Sequence, residues 1–105
     1  MRTITPRELA AWLGQADAPV VLDVREPWEV ATASLPGSLP IPMREIPGRL
    51  AELPAQRPIV CLCHHGMRSA QVGMFLERQG FDGVINLTGG IDAWSRDVDP
   101  SVPTY

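Results

Sequence analysis

The chain has 105 residues, 45% of them hydrophobic, with nine basic residues (Lys plus Arg) against twelve acidic ones and a formal net charge of −3. That length supports one core and leaves no room for a second, so a single domain over residues 1–105 is expected. Charges of both signs are interspersed, which offers no electrostatic footprint for nucleic acid. No apolar run approaches the ~20 residues of a membrane span. The opening Met1-Arg2-Thr3-Ile4-Thr5-Pro6 lacks the apolar stretch of a secretory signal, so a cytoplasmic protein is expected. Cys61 and Cys63 stand two apart, which on a strand puts both on one face without bringing the sulfurs to bridging geometry. Free thiols in a reducing compartment follow as the expectation.

Thr5-Pro6-Arg7-Glu8 carries the marks of a helix start: a capping threonine, proline at the first helical position and glutamate three residues after the cap. Leu9, Trp12 and Leu13 supply its apolar face, and Gly14 ends it. Val20-Val21-Leu22-Asp23-Val24 is the short apolar run of a strand buried on both faces. Asp23, Arg25 and Glu26 gather where that strand emerges, the edge at which an open α/β sheet builds its sites. An ion pair between Asp23 and Arg25, bracing the edge, is the default expectation. Pro27 starts a short helical segment through Trp28, Glu29 and Val30. Alternating prolines in Leu35-Pro36-Gly37-Ser38-Leu39-Pro40-Ile41-Pro42 then leave room only for a short edge strand around Leu39 to Ile41.

A helix is expected over Met43 to Leu53, with Ile46, Leu50 and Leu53 inward. The strand Ile59-Val60-Cys61-Leu62 follows, then a loop, then a helix from about Arg68 to Gln79 with Ala70, Met74 and Phe75 inward and Gly80 closing it. Val84-Ile85-Asn86-Leu87 reads as a further strand, and Thr88-Gly89-Gly90 leads into a last helix carrying Ile91, Ala93 and Trp94. Strands alternating with helices predict a parallel sheet covered on both faces. The tail from Asp99 to Tyr105 has no periodicity. Its apolar Val102 and Tyr105, stiffened by Pro100 and Pro103, are expected to pack against the domain or a neighbouring copy.

The reactive chemistry is concentrated in one loop, Cys63-His64-His65-Gly66-Met67-Arg68-Ser69. A strand that ends in cysteine and turns through glycine into a helix start brings backbone N–H groups and the positive end of the helix dipole to the sulfur. Such a place favours thiolate over thiol. Gly66 lets the backbone pass close, and Arg68 keeps its charge at any working pH. Arg68 has two candidate roles, holding an anionic ligand or tying the loop to Glu26 or Asp23. Cys61, inside the strand, reads as core packing, as do Trp12 and Trp28. Adjacent histidines diverge, and their spacing with the two cysteines matches no common zinc pattern, so neither metal nor cofactor is expected.

Three blocks carry a resemblance to the rhodanese-like sulfurtransferases of the single-domain kind. They are Leu22-Asp23-Val24-Arg25-Glu26-Pro27-Trp28-Glu29, the loop Cys63 to Ser69, and Leu87-Thr88-Gly89-Gly90-Ile91-Asp92-Ala93-Trp94. The resemblance implies a three-layer α/β/α domain with a five-stranded, mainly parallel central sheet. It also implies a catalytic cysteine that carries sulfur as a persulfide, which by loop position is Cys63. His64, His65, Gly66, Met67, Arg68 and Ser69 would then bind substrate, with Asp23, Arg25 and Trp94 supporting and Trp94 near the pocket mouth.

The implied partners are a small donor such as thiosulfate and an acceptor such as cyanide, glutathione or a protein thiol, with no nucleic acid and no membrane. Two rivals share the fold. Phosphatases of this fold carry a loop one residue longer, whereas Cys63 to Arg68 counts six residues, the shorter form. Binding or sensing modules of the family have usually lost the cysteine, which is retained here.

Overall fold

The apolar run Ile59–Leu62 forms β4, the central strand of a five-stranded sheet in the computed structural model, which describes residues 1–105. The other strands are β1 (Arg2–Ile4), β2 (Val20–Asp23), β3 (Leu39–Pro40) and β5 (Val84–Leu87), in the order β1-β5-β4-β2-β3. Every neighbouring pair runs parallel. Four α-helices, α1 (Pro6–Leu13), α2 (Pro27–Thr32), α3 (Met67–Arg78) and α4 (Gly90–Asp97), complete the α/β/α arrangement.

Successive side chains on a strand point to opposite faces, so a strand covered on both sides must be apolar throughout. The two resulting cores divide the residues by parity. Val60, Leu62, Ile85 and Leu87 join Leu9, Ile91 and Trp94 on the face covered by α1 and α4. Ile59, Cys61, Cys63 and Val84 join Val72, Leu76 and Ile46 on the face covered by α3. Parity therefore delivers Cys63, just past the end of β4, to the side where α3 begins.

Local signals hold where the chemistry is local. Thr5 Oγ1 accepts from the Glu8 N–H at 3.2 Å and Glu8 Oε1 accepts from the Thr5 N–H at 2.9 Å, the reciprocal cap expected at α1. The expected helix over Met43 to Leu53 instead becomes two 3-10 turns, Met43–Gly48 and Leu50–Glu52. Pro47 removes one backbone donor and collides with the preceding turn of an α-helix, and Gly48 beside it adds backbone freedom. Ile46 and Leu53 are still buried.

The inner stripe of α3 also differs: Ser69, Val72, Gly73 and Leu76 are buried, while Met74 is 48% exposed. Phe75 packs against that core as expected, while two of the fully buried positions are small and so left no apolar signal in the sequence. Trp28, expected as packing, is 63% exposed. β1 has no counterpart in the reading of the residues; with only Ile4 of its three side chains buried, it lacks an apolar run.

The tail is docked. Val102 is 7% exposed within the α1/α4 core, and the Val98 and Asp99 N–H groups both donate to the Trp94 carbonyl as α4 ends. Truncation after Asp99 is expected to lower the unfolding free energy by about 2–4 kcal/mol, from lost apolar burial and hydrogen bonds. Urea denaturation of the two chains measures it.

Candidate functional site

At the end of β4 the chain reverses through Gly66, whose φ of +107° is open to glycine and costly for other residues. The reversal aims the Gly66 N–H at Cys63 Sγ, 3.0 Å away. Ser69, in the first turn of α3, puts its hydroxyl 3.3 Å from the same sulfur. That hydroxyl also lies 2.5 Å from Asn86 Oδ1, and Asn86 Nδ2 donates to the Gly66 carbonyl at 3.0 Å. Cys63, Gly66, Asn86 and Ser69 thus close a ring of hydrogen bonds around one sulfur. A hydroxyl has a single proton. While Ser69 donates to Asn86, its oxygen can accept from a Cys63 thiol; when the sulfur is ionised, the hydroxyl can turn and donate to it. Of the N–H groups expected to surround the sulfur, only that of Gly66 bonds it. Those of His64, His65, Met67 and Arg68 have no partner within the protein.

Two of the loop's carbonyls are held by α4, and because each shares a planar peptide with the next N–H, the N–H groups of His64 and His65 point away from that helix. The Ile91 N–H donates to the Cys63 carbonyl at 2.9 Å and the Asp92 N–H to the His64 carbonyl at 3.1 Å, so the opening turn of α4 is satisfied by the loop itself. Gly90 makes this approach possible. A Cβ there would stand 2.4 Å from the His64 carbonyl oxygen and 2.5 Å from that of Cys63.

A chain of charges braces the other side. Arg25 and Asp23, both fully buried, pair through two bonds of 2.9 and 2.7 Å, as expected, and Arg25 Nη2 also donates to the Ala33 carbonyl. Arg68 pairs with neither Glu26 nor Asp23. Its fork meets both oxygens of Glu29 at 2.7 and 2.8 Å, because the first turn of α2 carries Glu29 inward while Glu26 turns out to Arg44. Tyr105 links the two pairs: its hydroxyl accepts from Arg25 Nη1 and donates to Glu29 Oε2, each at 2.8 Å. With Arg68 as its main partner, the Glu29 carboxylate is held down to a pKa of about 2. Burial pushes the Cys61 thiol up to about 12, which suits an inert core residue.

Cys63, His64, His65, Met67 and Arg68 line a cleft of 290 Å³. Met67 is 78% exposed at its rim. The histidines do not diverge. Their rings stack at 3.9 Å and 25°, and Tyr105 stacks on the other face of His64 at 3.9 Å and 8°. His64, His65 and Asp92 bring ligand atoms within 4.8 Å of one another. Nearly parallel rings aim their in-plane lone pairs side by side rather than at one point, and Asp92 already bonds Arg96 at 3.2 Å, so the group is not arranged as a chelate. Trp94 lies in the core on the α4 face, opposite to Cys63, and does not line the cleft.

Three participants went unassigned in the sequence: Glu29, Asn86 and the Tyr105 hydroxyl. Asn86 left a signal, a lone amide inside a fully buried strand and in register with Cys61.

A family model, the rhodanese-like domain, matches residues 5–97. The chain belongs to the rhodanese-like family. It is 38% identical over 99 residues to a sulfurtransferase of Allochromatium vinosum, covering 94% of this chain and 92% of that one. It is 45% identical over 93 residues to the rhodanese-like/PpiC domain-containing protein 12 of Arabidopsis thaliana, covering 85% of this chain but only 31% of that larger protein. The crystal structure of a rhodanese-like domain protein from Staphylococcus aureus superimposes with a TM-score of 0.87 at 32% identity, covering 100% and 99% of the two chains. These sulfurtransferase relatives support an enzyme of the rhodanese class and sulfur transfer in general.

Glu29 gives a test of the brace. A carboxylate with a folded pKa of about 2 against 4.5 when free contributes stability above pH 4.5 and loses it as pH falls towards 2. Discounted for the solvent that reaches Arg68, the contribution is about 2–3 kcal/mol. Glu29→Gln is expected to lose that amount at pH 7 and to show a correspondingly flatter stability profile between pH 5 and pH 2. Urea unfolding across that range reads both effects.

Proposed function

We propose that the protein moves a sulfane sulfur from thiosulfate, or another donor of the persulfide kind, to a thiophilic acceptor through a persulfide on Cys63. In loading, the Cys63 thiolate attacks the outer sulfur of thiosulfate, the S–S bond of the donor breaks, and sulfite leaves with the bonding pair. In unloading, an acceptor such as cyanide, glutathione or a protein thiol attacks the outer sulfur, and Cys63 leaves as thiolate. The observation that carries this reading is the pair of donors on Cys63 Sγ, the Gly66 N–H at 3.0 Å and the Ser69 hydroxyl at 3.3 Å, in a loop of the rhodanese-like family. Both can hold a sulfur that alternates between attacking and departing as an anion.

The unpaired N–H groups of His64, His65, Met67 and Arg68 are the groups proposed to receive the charged outer sulfur and the sulfite end of the donor. Arg68, whose fork is occupied by Glu29, acts in this scheme by fixing the loop rather than by grasping the donor. Burial, followed by the neighbouring His65, lowers the His64 pKa, so His64 enters as a neutral ring and not as a cation. Asp23 and Arg25 support from beneath. The same reading puts the protein in the cytoplasm, where two free cysteines stay reduced.

Incubation with thiosulfate is expected to add one sulfur atom to the intact mass, removable with dithiothreitol, and thiosulfate with cyanide is expected to yield thiocyanate. Cys63→Ala should abolish both. Unaltered turnover in that variant overturns the assignment of Cys63, and absence of any mass gain in the unaltered protein favours a binding module of the same fold. Hydrolysis of an aryl phosphate at comparable efficiency would favour the phosphatase reading.

A further inference from the structure

Sulfur transfer to a thiol leaves one proton to be placed. The attacking species is the thiolate, whereas at pH 7 only about 3% of a thiol with the ordinary pKa of ~8.5 is ionised. A base beside the persulfide can supply the remainder. Of the five side chains that line the Cys63 cleft, Met67 takes no proton, Arg68 already carries its own and Cys63 is the sulfur carrier. Two imidazoles remain. His65 is 63% exposed and stands 4.0 Å from Asp92 at the solvent side.

His64 is held differently. Its ring is clamped between Tyr105 and His65, each with centroids 3.9 Å away. Its backbone carbonyl is fixed by the Asp92 N–H at 3.1 Å. Its Nε2 is shut off from solvent and has no partner, while Nδ1, equally without a partner, is not fully buried. An immobilised imidazole with one free, reachable nitrogen, in the wall of the cleft that holds the nucleophilic sulfur, is not explained by packing alone. We infer that His64 accepts, at Nδ1, the proton of an incoming thiol as that thiol unloads Cys63.

The inference rests on the persulfide reading above and extends it to the acceptor half-reaction. The thiol gives its proton to Nδ1; its sulfur forms a bond to the outer sulfur of the persulfide; the S–S bond to Cys63 breaks. Cys63 departs with the electron pair as thiolate, the product leaves as a persulfide anion, and His64 passes its proton to water. No oxidant or reductant is consumed. The surroundings suit a base at neutral pH. Burial and His65, with a smaller effect of Arg68 from α3, favour the neutral ring, and outweigh Asp92 of α4 and Glu29 of α2, which pull the other way. Tyr105 of the tail covers one ring face.

The test separates the half-reactions. Protein loaded with thiosulfate and desalted is mixed with glutathione, and the loss of the extra sulfur is followed by quenched intact mass for the unaltered chain and for His64→Asn, which keeps a polar amide without basicity. At pH 7 the unloading rate of His64→Asn is expected to fall about 10–30-fold, the limit being set by the thiolate already present in solution. The deficit should shrink towards twofold by about pH 9.5, where glutathione needs no base. Loading by the thiosulfate dianion moves no proton and should fall by a far smaller factor.

Should His64→Asn prove unstable, His64→Ala assayed with added imidazole asks the same question, and restored unloading supports the inference. An equal loss in both half-reactions, a deficit that stays constant with pH, or no rescue by imidazole overturns it while leaving the Cys63 persulfide standing. Failure of the unaltered chain to take up sulfur overturns both.

Discussion

A peptide bond cannot show its N–H to a ligand unless its carbonyl is accommodated as well. In the Cys63 loop that requirement is met by α4, whose first free N–H groups take the Cys63 and His64 carbonyls. Each of those carbonyls shares its planar peptide with the next N–H, so drawing them towards α4 turns the N–H groups of His64 and His65, which have no partner within the protein, away from that helix. Two glycines pay for the geometry in different ways: Gly66 supplies a backbone angle, and Gly90 supplies the absence of a side chain where two backbones touch. Without that contact between loop and helix, the His64 and His65 N–H groups would lose their orientation.

The second constraint is electrostatic. Glu29 is only 3% exposed, and a lone carboxylate at such a depth is costly. Arg68 and Tyr105 compensate it together, and Tyr105 in turn satisfies Arg25, itself buried against Asp23. The loop arginine, the first helix after β2 and the last residue of the chain are thereby parts of one network. Its polar atoms account for one another, which is the condition under which buried charge favours a unique arrangement over a loose one. The tail contributes side chains to the neighbourhood of the cleft, not only weight to the core.

Most of the frame was legible in the residues because its causes are local or periodic. The cap at Thr5, the buried runs at residues 20–24, 59–62 and 84–87, and the glycine turn at residue 66 each express a short-range rule. What escaped depended on register between distant segments. β1 is recognisable as a strand only because its backbone pairs with β5, and the turns after Met43 follow from Pro47 overriding an otherwise helical pattern. At the site, Cys63 and its loop were evident, and the Asp23–Arg25 pair followed from spacing. The partner of Arg68 was not, since Glu26 and Glu29 differ by less than one helical turn and only the docked orientation of α2 decides between them. The role of Asn86 likewise depends on α3 bringing Ser69 over β5.

Cys61 has a consequence for how the protein withstands oxidants. It is the one other cysteine, and although a single residue, Leu62, separates it from Cys63, burial holds its proton tightly and keeps it from attacking as a thiolate. A sulfenic acid formed on Cys63 therefore has no resolving partner inside the molecule with which to condense into a disulfide. Its repair falls to thiols arriving from outside, and when these run short the damage proceeds to the sulfinic stage, from which such a site does not return.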